Sequence, residues 1–491
     1  MSDDLKNKQK LTHRPTTRRE FLAQGLIAGL TYTFAPSILS LLDQRLNGEA
    51  LAQAFDCGGL PALNLKVPVI IFDLSGGANF SGSNIIVGDR GGQNAFLPPV
   101  DYETLGLPAA MTPDKPGMTN SELGLMFHSD SGILRGIQST ASTVVRSRVD
   151  GAIFCTSSAD DTGNNPHNPM YWLAKAGAGG DLGDLIGTRN TISGGNSAAP
   201  KGSINPTKQP ITITSPNDAV SLVNAGRLST LLTQDKVKRV MKATERLSGR
   251  QLERFNTLTL PEQVRQLVQC GYLSSQDIVG RYTPEQINPT TDALVTQAFN
   301  NIANDGNQSR TATIAKLVLD GNIGVGTIEK GGYDYHTNDR AVGEQRDLEA
   351  GELIGRVLTL ANLKAKDVLI YVITDGGVSS NQVADNSAGG RGKFAWTGDS
   401  SQRSSSFMLL YRHAGRAPLR VAGRRQIGAY KTGGSVDNFA AITSNSVVNL
   451  NKTIVANFLA LHGQEGELAS IVGDNPFGGQ LDQYLIFNKI R

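Results

Sequence analysis

Four acids and two histidines stand in this chain where an α/β sheet would put them to chemical use. Asp375 closes the apolar run "DVLIYVITDGG", and Asp73 closes "VPVIIFD". His167 lies in the polar loop "SSADDTGNNPHNP" that follows "GAIFCT". Asp334 and His336 belong to "YDYH", just after "IGVGTIE", and Asp399 precedes "SSFMLLY". In open α/β sheets, ligands gather outside the carboxyl ends of strands. Carboxylates and imidazoles converging there would bind a divalent ion, which polarises a phosphoryl or sulfuryl oxygen and activates a nucleophile. The expected set is Asp73, Asp334, His336 and Asp375 around one ion, with Asp399 as a further candidate ligand and His167 as the candidate catalytic group. Such ligands suit zinc, manganese or calcium. Clustered acids also repel one another, a reason to expect a cation or a basic neighbour among them. Each position has a plainer alternative. Thr374, Asp375 and Gly376 read equally as an ordinary turn, an isolated loop histidine as a hydrogen-bonded structural residue, and Asp334 with His336 as a local loop pair. Asp89, Asp160 and Asp161 read as solvated acids.

The elements that must position these residues follow from apolar periodicity. Strands are expected over Val67 to Phe72, Gly151 to Thr156, "IGVGTIE", the run ending at Asp375, and "SSFMLLYRH". Helices are expected near Pro169, where proline suits a first turn, over "TATIAKLVLDG", over "NKTIVANFLALHG", and over "GEQRDLEAGELIGRVLTLANL". The last is amphipathic, with Glu352 and Arg356 four residues apart. Such alternation argues for a large, mostly parallel sheet with helices on both faces. If the strands before Asp73 and Asp375 are parallel neighbours, both carboxylates open on one edge. Ser, Gly, Asn and Pro dominate from about Thr188 to Asn217, and Gly, Ser and Asn from Ser379 to Ser406, which both read as long loops. Residues 218–299 carry apolar residues at helical spacing and read as an inserted cap. The expected organisation is therefore a signal at 1–54, a first part of the α/β core at 55–217, the helical insertion at 218–299, and the rest of the core at 300–491.

With 491 residues, 39% hydrophobic and 19% charged, the chain can bury a full core. Its net charge of +3 is small and its basic residues are dispersed, so nothing indicates nucleic-acid binding. The clearest basic concentration is amino-terminal. In "TTRREFLAQGLIAGLTYTFAPSILSLL", paired Arg18 and Arg19 precede Phe21, Leu22 and a mildly apolar stretch, which reads as a twin-arginine export signal. Gly25, Gly29 and Pro36 make the stretch a poor permanent membrane span, and Ala52-Gln53-Ala54 offers a small-x-small cleavage site. The expected location is the periplasm or the extracellular space, with the twin-arginine translocase as a transient partner. Cys57, Cys155 and Cys270 permit at most one internal disulfide and are not spaced like a zinc clip.

The order "DLSGGANFSGSN", "FHSDSGILRGI", "NNPHNPMYWLAKAG", "YDYHTN", "VITDGG" and "VANFLALHG" resembles a family of twin-arginine exported proteins of undefined function, whose core looks like the alkaline phosphatase and sulfatase superfamily. The resemblance covers most of the mature chain and is weakest over 218–299. It implies an alkaline-phosphatase-like sheet, one or two metal ions held by Asp and His at strand ends, and hydrolysis of phosphate or sulfate esters through a Ser, Thr or Cys nucleophile. Asp73 matches the acid after the first strand, Asp334 and His336 an Asp-x-His element, and Asp375 the Asp of a Thr-Asp-His-Gly element. Three positions depart. Gly376 stands at that element's histidine, Asp399-Ser400-Ser401 where relatives often show Asp-His-Gly, and Pro166-His167 where many read Ser-His. Two readings follow. One is a metal-dependent hydrolase acting on a small-molecule ester. The other is a non-catalytic exported protein that uses the same scaffold to bind a partner or glycan, since fold does not imply function.

Overall fold

The computed structural model describes residues 66–158, 166–189, 191–195, 199–206, 208–223 and 281–491, with isolated positions between 233 and 278. The expected signal, Cys57 and Cys270 lie outside these residues. So does most of the expected helical insertion, of which the flanking helices Pro216–Ser221, Pro284–Ile287 and Ala293–Ala298 are described.

In chain order the strands are β1 (Val69–Asp73), β2 (Thr119–Leu123), β3 (Leu125–His128), β4 (Val149–Cys155), β5 (Gly183–Gly187), β6 (Ile211–Thr212), β7 (Ile323–Glu329), β8 (Val368–Ile373), β9 (Val378–Ala384), β10 (Phe394–Asp399), β11 (Ser405–Tyr411), β12 (Gln426–Ile427), β13 (Tyr430–Lys431) and β14 (Ser435–Val436). Eight of them form one sheet in the order β12-β4-β11-β8-β1-β7-β5-β6. All its pairings are parallel except those of β11, which runs antiparallel to both β4 and β8. β1 lies between β7 and β8, with Asp73 opposite Glu329 on one side and Ile373 on the other. β1, β4, β7 and β8 are buried along their whole length, as expected of strands covered on both faces.

Alternation along β1 sorts its side chains between two cores. Ile70 and Phe72 join the core beneath the helices Gly132–Thr140, Gly306–Leu319 and Arg340–Leu363. Val69 and Ile71 join the opposite core, beneath Met170–Lys175 and Val447–Ala460. The mostly parallel sheet with helices on both faces is thus as the sequence implies, and Asp73 extends the second face.

Two elements differ from expectation. The helix Arg340–Leu363 is not simply amphipathic, because Arg340, Glu344 and Asp347 are all buried. It packs against Gly132–Thr140 closely enough that a Cβ on Gly136 would stand 2.1 Å from the Leu348 carbonyl oxygen, and one on Gly351 2.1 Å from that of Ile133. Arg356 donates to the Ala298 carbonyl at 2.9 Å. The stretch Ser379 to Ser406, expected as a loop, instead contains the antiparallel hairpin β9–β10. Its outer positions are polar, which hides the strand period, while Val378 and Trp396 are buried and anchor it.

Candidate metal centre

The segment "YDYH" alternates like a short strand. Tyr333 and Tyr335 point inward and are buried, edge to face at 6.1 Å, and the Tyr333 hydroxyl donates to the Arg346 carbonyl at 2.9 Å. The two tyrosines therefore turn Asp334 and His336 outward, with side chains 62% and 56% exposed. The hairpin brings in the third member. Asp399 ends β10 opposite Val378, the Ser400 N–H donates to the Gly377 carbonyl at 2.8 Å, and Asn338 N–H donates to the Trp396 carbonyl at 2.9 Å. The guanidinium of Arg340 stacks on Trp396 at 4.5 Å, tying the hairpin to the start of the long helix.

As a result Asp334, His336 and Asp399 each offer one ligand atom, and these atoms lie within 4.8 Å of one another. His336 Nε2 is paired with Asp334 Oδ1 and stands 3.7 Å from Asp399 Oδ2. Ligand atoms on an ion with bonds of about 2.1 Å sit roughly 3.4 Å apart in a tetrahedral arrangement, so a small opening of the Asp334–His336 pair suits the donor set to a divalent cation. Two carboxylates and one imidazole, open to solvent on one side, leave positions for water or an anionic ligand.

Asp73 and Asp375, expected in the same set, occupy a different layer. Both are buried, at 0% and 1% exposure. The turn after β1 separates them from the exposed group. Gly76 N–H donates to Asp375 Oδ1 at 2.8 Å, Gly376 N–H to the same oxygen at 3.2 Å, and Ala78 N–H to Thr374 Oγ1 at 2.7 Å. Thr374 and Asp375 therefore anchor the Ser75–Ala78 turn. Across that turn, a Cβ on Gly76 would meet Asp334 N at 2.7 Å, and one on Gly77 would meet Asp399 Oδ1 at 3.3 Å. The chain matches no family model and no curated protein.

His167 lies just before the helix Met170–Lys175 and is fully buried, and burial pushes its imidazole down to about 3. Its neighbour Asn168 donates to the Ser193 carbonyl at 2.7 Å and to Thr327 Oγ1 at 3.3 Å, which places this loop over the face that carries Asp73. Cys155 is a buried free thiol.

Several polar groups at this edge are not among the sequence candidates. Glu329 pairs in register with Asp73, accepts from Ser75 Oγ at 3.1 Å and lies 3.5 Å from the Arg189 guanidinium. Ser158 Oγ donates to the Asp375 carbonyl at 2.6 Å. Arg403 donates to Ser379 Oγ at 2.9 Å and Ser400 Oγ at 3.1 Å, setting a guanidinium beside the residue that follows Asp399. Glu329 was findable, since it ends a strand as Asp73 does. No local pattern marks Ser158, Arg189 or Arg403.

Proposed function

We propose that this is an exported alkaline-phosphatase/sulfatase-like protein that binds one divalent cation through Asp334, His336 and Asp399 and hydrolyses phosphate or sulfate esters. The observation that carries the reading is the convergence of two carboxylates and an imidazole at the strand-end edge of a mostly parallel sheet. The imidazole favours zinc or manganese over calcium, which prefers all-oxygen sites. When bound, such an ion supplies Lewis-acid polarisation of an ester oxygen. The chain's own residues contribute the rest. Asp334 and Asp399 provide the negative charge that attracts the cation, and the buried tyrosines and the β9–β10 hairpin fix its ligands. Arg403 offers positive charge to an anionic ester nearby.

The non-catalytic reading has one observation in its favour. Asp73 and Asp375, two of the acids that match the superfamily, are sealed from solvent, and Asp375 accepts from the Gly76 N–H of the turn after β1. The two readings separate on turnover. Purified protein, assayed with p-nitrophenyl phosphate and p-nitrophenyl sulfate in zinc or manganese, should hydrolyse at least one of them. His336→Ala should lose at least about 100-fold of that rate, the loss expected when charge stabilisation is removed. Absence of metal-dependent turnover on both esters, with metal bound, favours the binding protein.

A further inference from the structure

A second site stands on the sheet face that carries Met170–Lys175, away from the strand-end acids. It is a cavity of about 410 Å³ between that helix, β5, the residues Gly202 to Asn205 with Lys208, and the short helix Leu468–Val472. The size falls in the roughly 300–1,000 Å³ range of small-ligand sites. Asp184 and Leu185 line it from the amino-terminal half of β5, whereas the candidate metal ligands lie beyond the strands' carboxyl ends.

The lining is divided chemically. Trp172, Leu185, Ile204 and Val472 make an apolar wall, while Lys175, Asp184 and Lys208 supply charge. Lys208 Nζ meets Asp184 Oδ2 at 3.3 Å, which uses one of its three donors. Among the described residues no acid pairs with Lys175, so the lining holds one positive charge in excess. Tyr171, another lining residue, is 5% exposed. Two ammonium groups with one positive charge in excess, beside an aliphatic and indole wall, suit an anion on an apolar body.

We propose that this cavity binds a small monocarboxylate with an apolar body, an aromatic or branched aliphatic acid. The carboxylate is held by Lys208 and Lys175, and the hydrocarbon lies against Trp172 and Val472. The test is a calorimetric and ligand-observed NMR titration of the purified protein with phenylacetate and 4-methylpentanoate, using neutral phenylacetamide and maltose as comparators. The expected result is saturable one-site binding of at least one carboxylate, with phenylacetamide at least tenfold weaker. Lys208→Met should weaken the carboxylate at least tenfold, and Val472→Trp, which fills the cavity, should abolish binding. The proposal is overturned by no saturable binding of either carboxylate, by equal affinity for phenylacetamide, by displacement by maltose, or by binding unchanged in both variants.

Discussion

Asp375 and Gly76 show how one pair of residues can set a site that neither belongs to. Gly76 has φ +119°, a conformation that side chains rarely adopt, and a Cβ there would press on Asp334 N at 2.7 Å. Gly76→Ala should therefore destabilise the protein by about 1–3 kcal/mol, the usual cost of a strained backbone position, and should weaken metal binding by displacing Asp334. Urea unfolding and a metal titration check the two effects. Stability within error of wild type would contradict the strain argument. Asp375→Ala should cost a similar amount, about 1–3 kcal/mol, because it leaves the buried Gly376 N–H and the part-buried Gly76 N–H without their acceptor, and the same unfolding experiment reads it. At this scale the sequence named, among its candidates, the three residues that the structure brings together. Asp334 and His336 are visible in it after an expected strand, and Asp399 before one. What it did not convey is depth. Asp73 and Asp375 look equivalent to Asp334 in one dimension, yet parallel pairing buries the first two, and the tyrosine alternation exposes the third.

The helix Arg340–Leu363 carries the clearest pH dependence. Burial, reinforced by the charge of Glu344, pushes Asp347 up to about 7 from an ordinary 3.8, although Asn84 donates to it at 2.7 Å. Burial also opposes ionisation of Glu344, but Arg340 and Lys393 outweigh it and hold that carboxyl below its ordinary range. Between about pH 4 and 7 the folded protein keeps a proton on Asp347 that the unfolded chain has released. Its contribution to stability is thus complete below about pH 4 and is lost as pH rises through about 7. A shift of this size amounts to at most about 4 kcal/mol. Asp347→Asn should remove the slope, so the variant gains on wild type between pH 5 and pH 8 in denaturant midpoints, and an identical difference at both pH values would contradict the assignment. None of this was readable from the sequence, where the stretch reads as an amphipathic helix. The helix itself was readable from its apolar spacing, as were the five long strands. The β9–β10 hairpin was not, because glycine and polar residues make up much of it and only Val378, Ala395 and Trp396 of its apolar residues are buried.

For the whole molecule, the described residues contain no helix long and apolar enough to cross a membrane, and the proposed export rests on Arg18 and Arg19. A fusion of residues 1–60 to a reporter should reach the periplasm through the twin-arginine route, and Arg18→Lys with Arg19→Lys should abolish it. Unchanged export of the double variant would remove that part of the proposal. Export of a folded protein is compatible with a metal acquired beforehand, and the centre that would hold it joins segments far apart in sequence, the loop after β7 and the end of β10. The most direct test of that centre is elemental analysis of chelator-free protein alongside His336→Ala, Asp399→Ala and Asp73→Asn. Near-stoichiometric zinc or manganese is predicted in wild type and in Asp73→Asn, and loss of the metal in the first two variants. Metal-free wild type after zinc or manganese loading, or full metal retention by His336→Ala and Asp399→Ala, would contradict it.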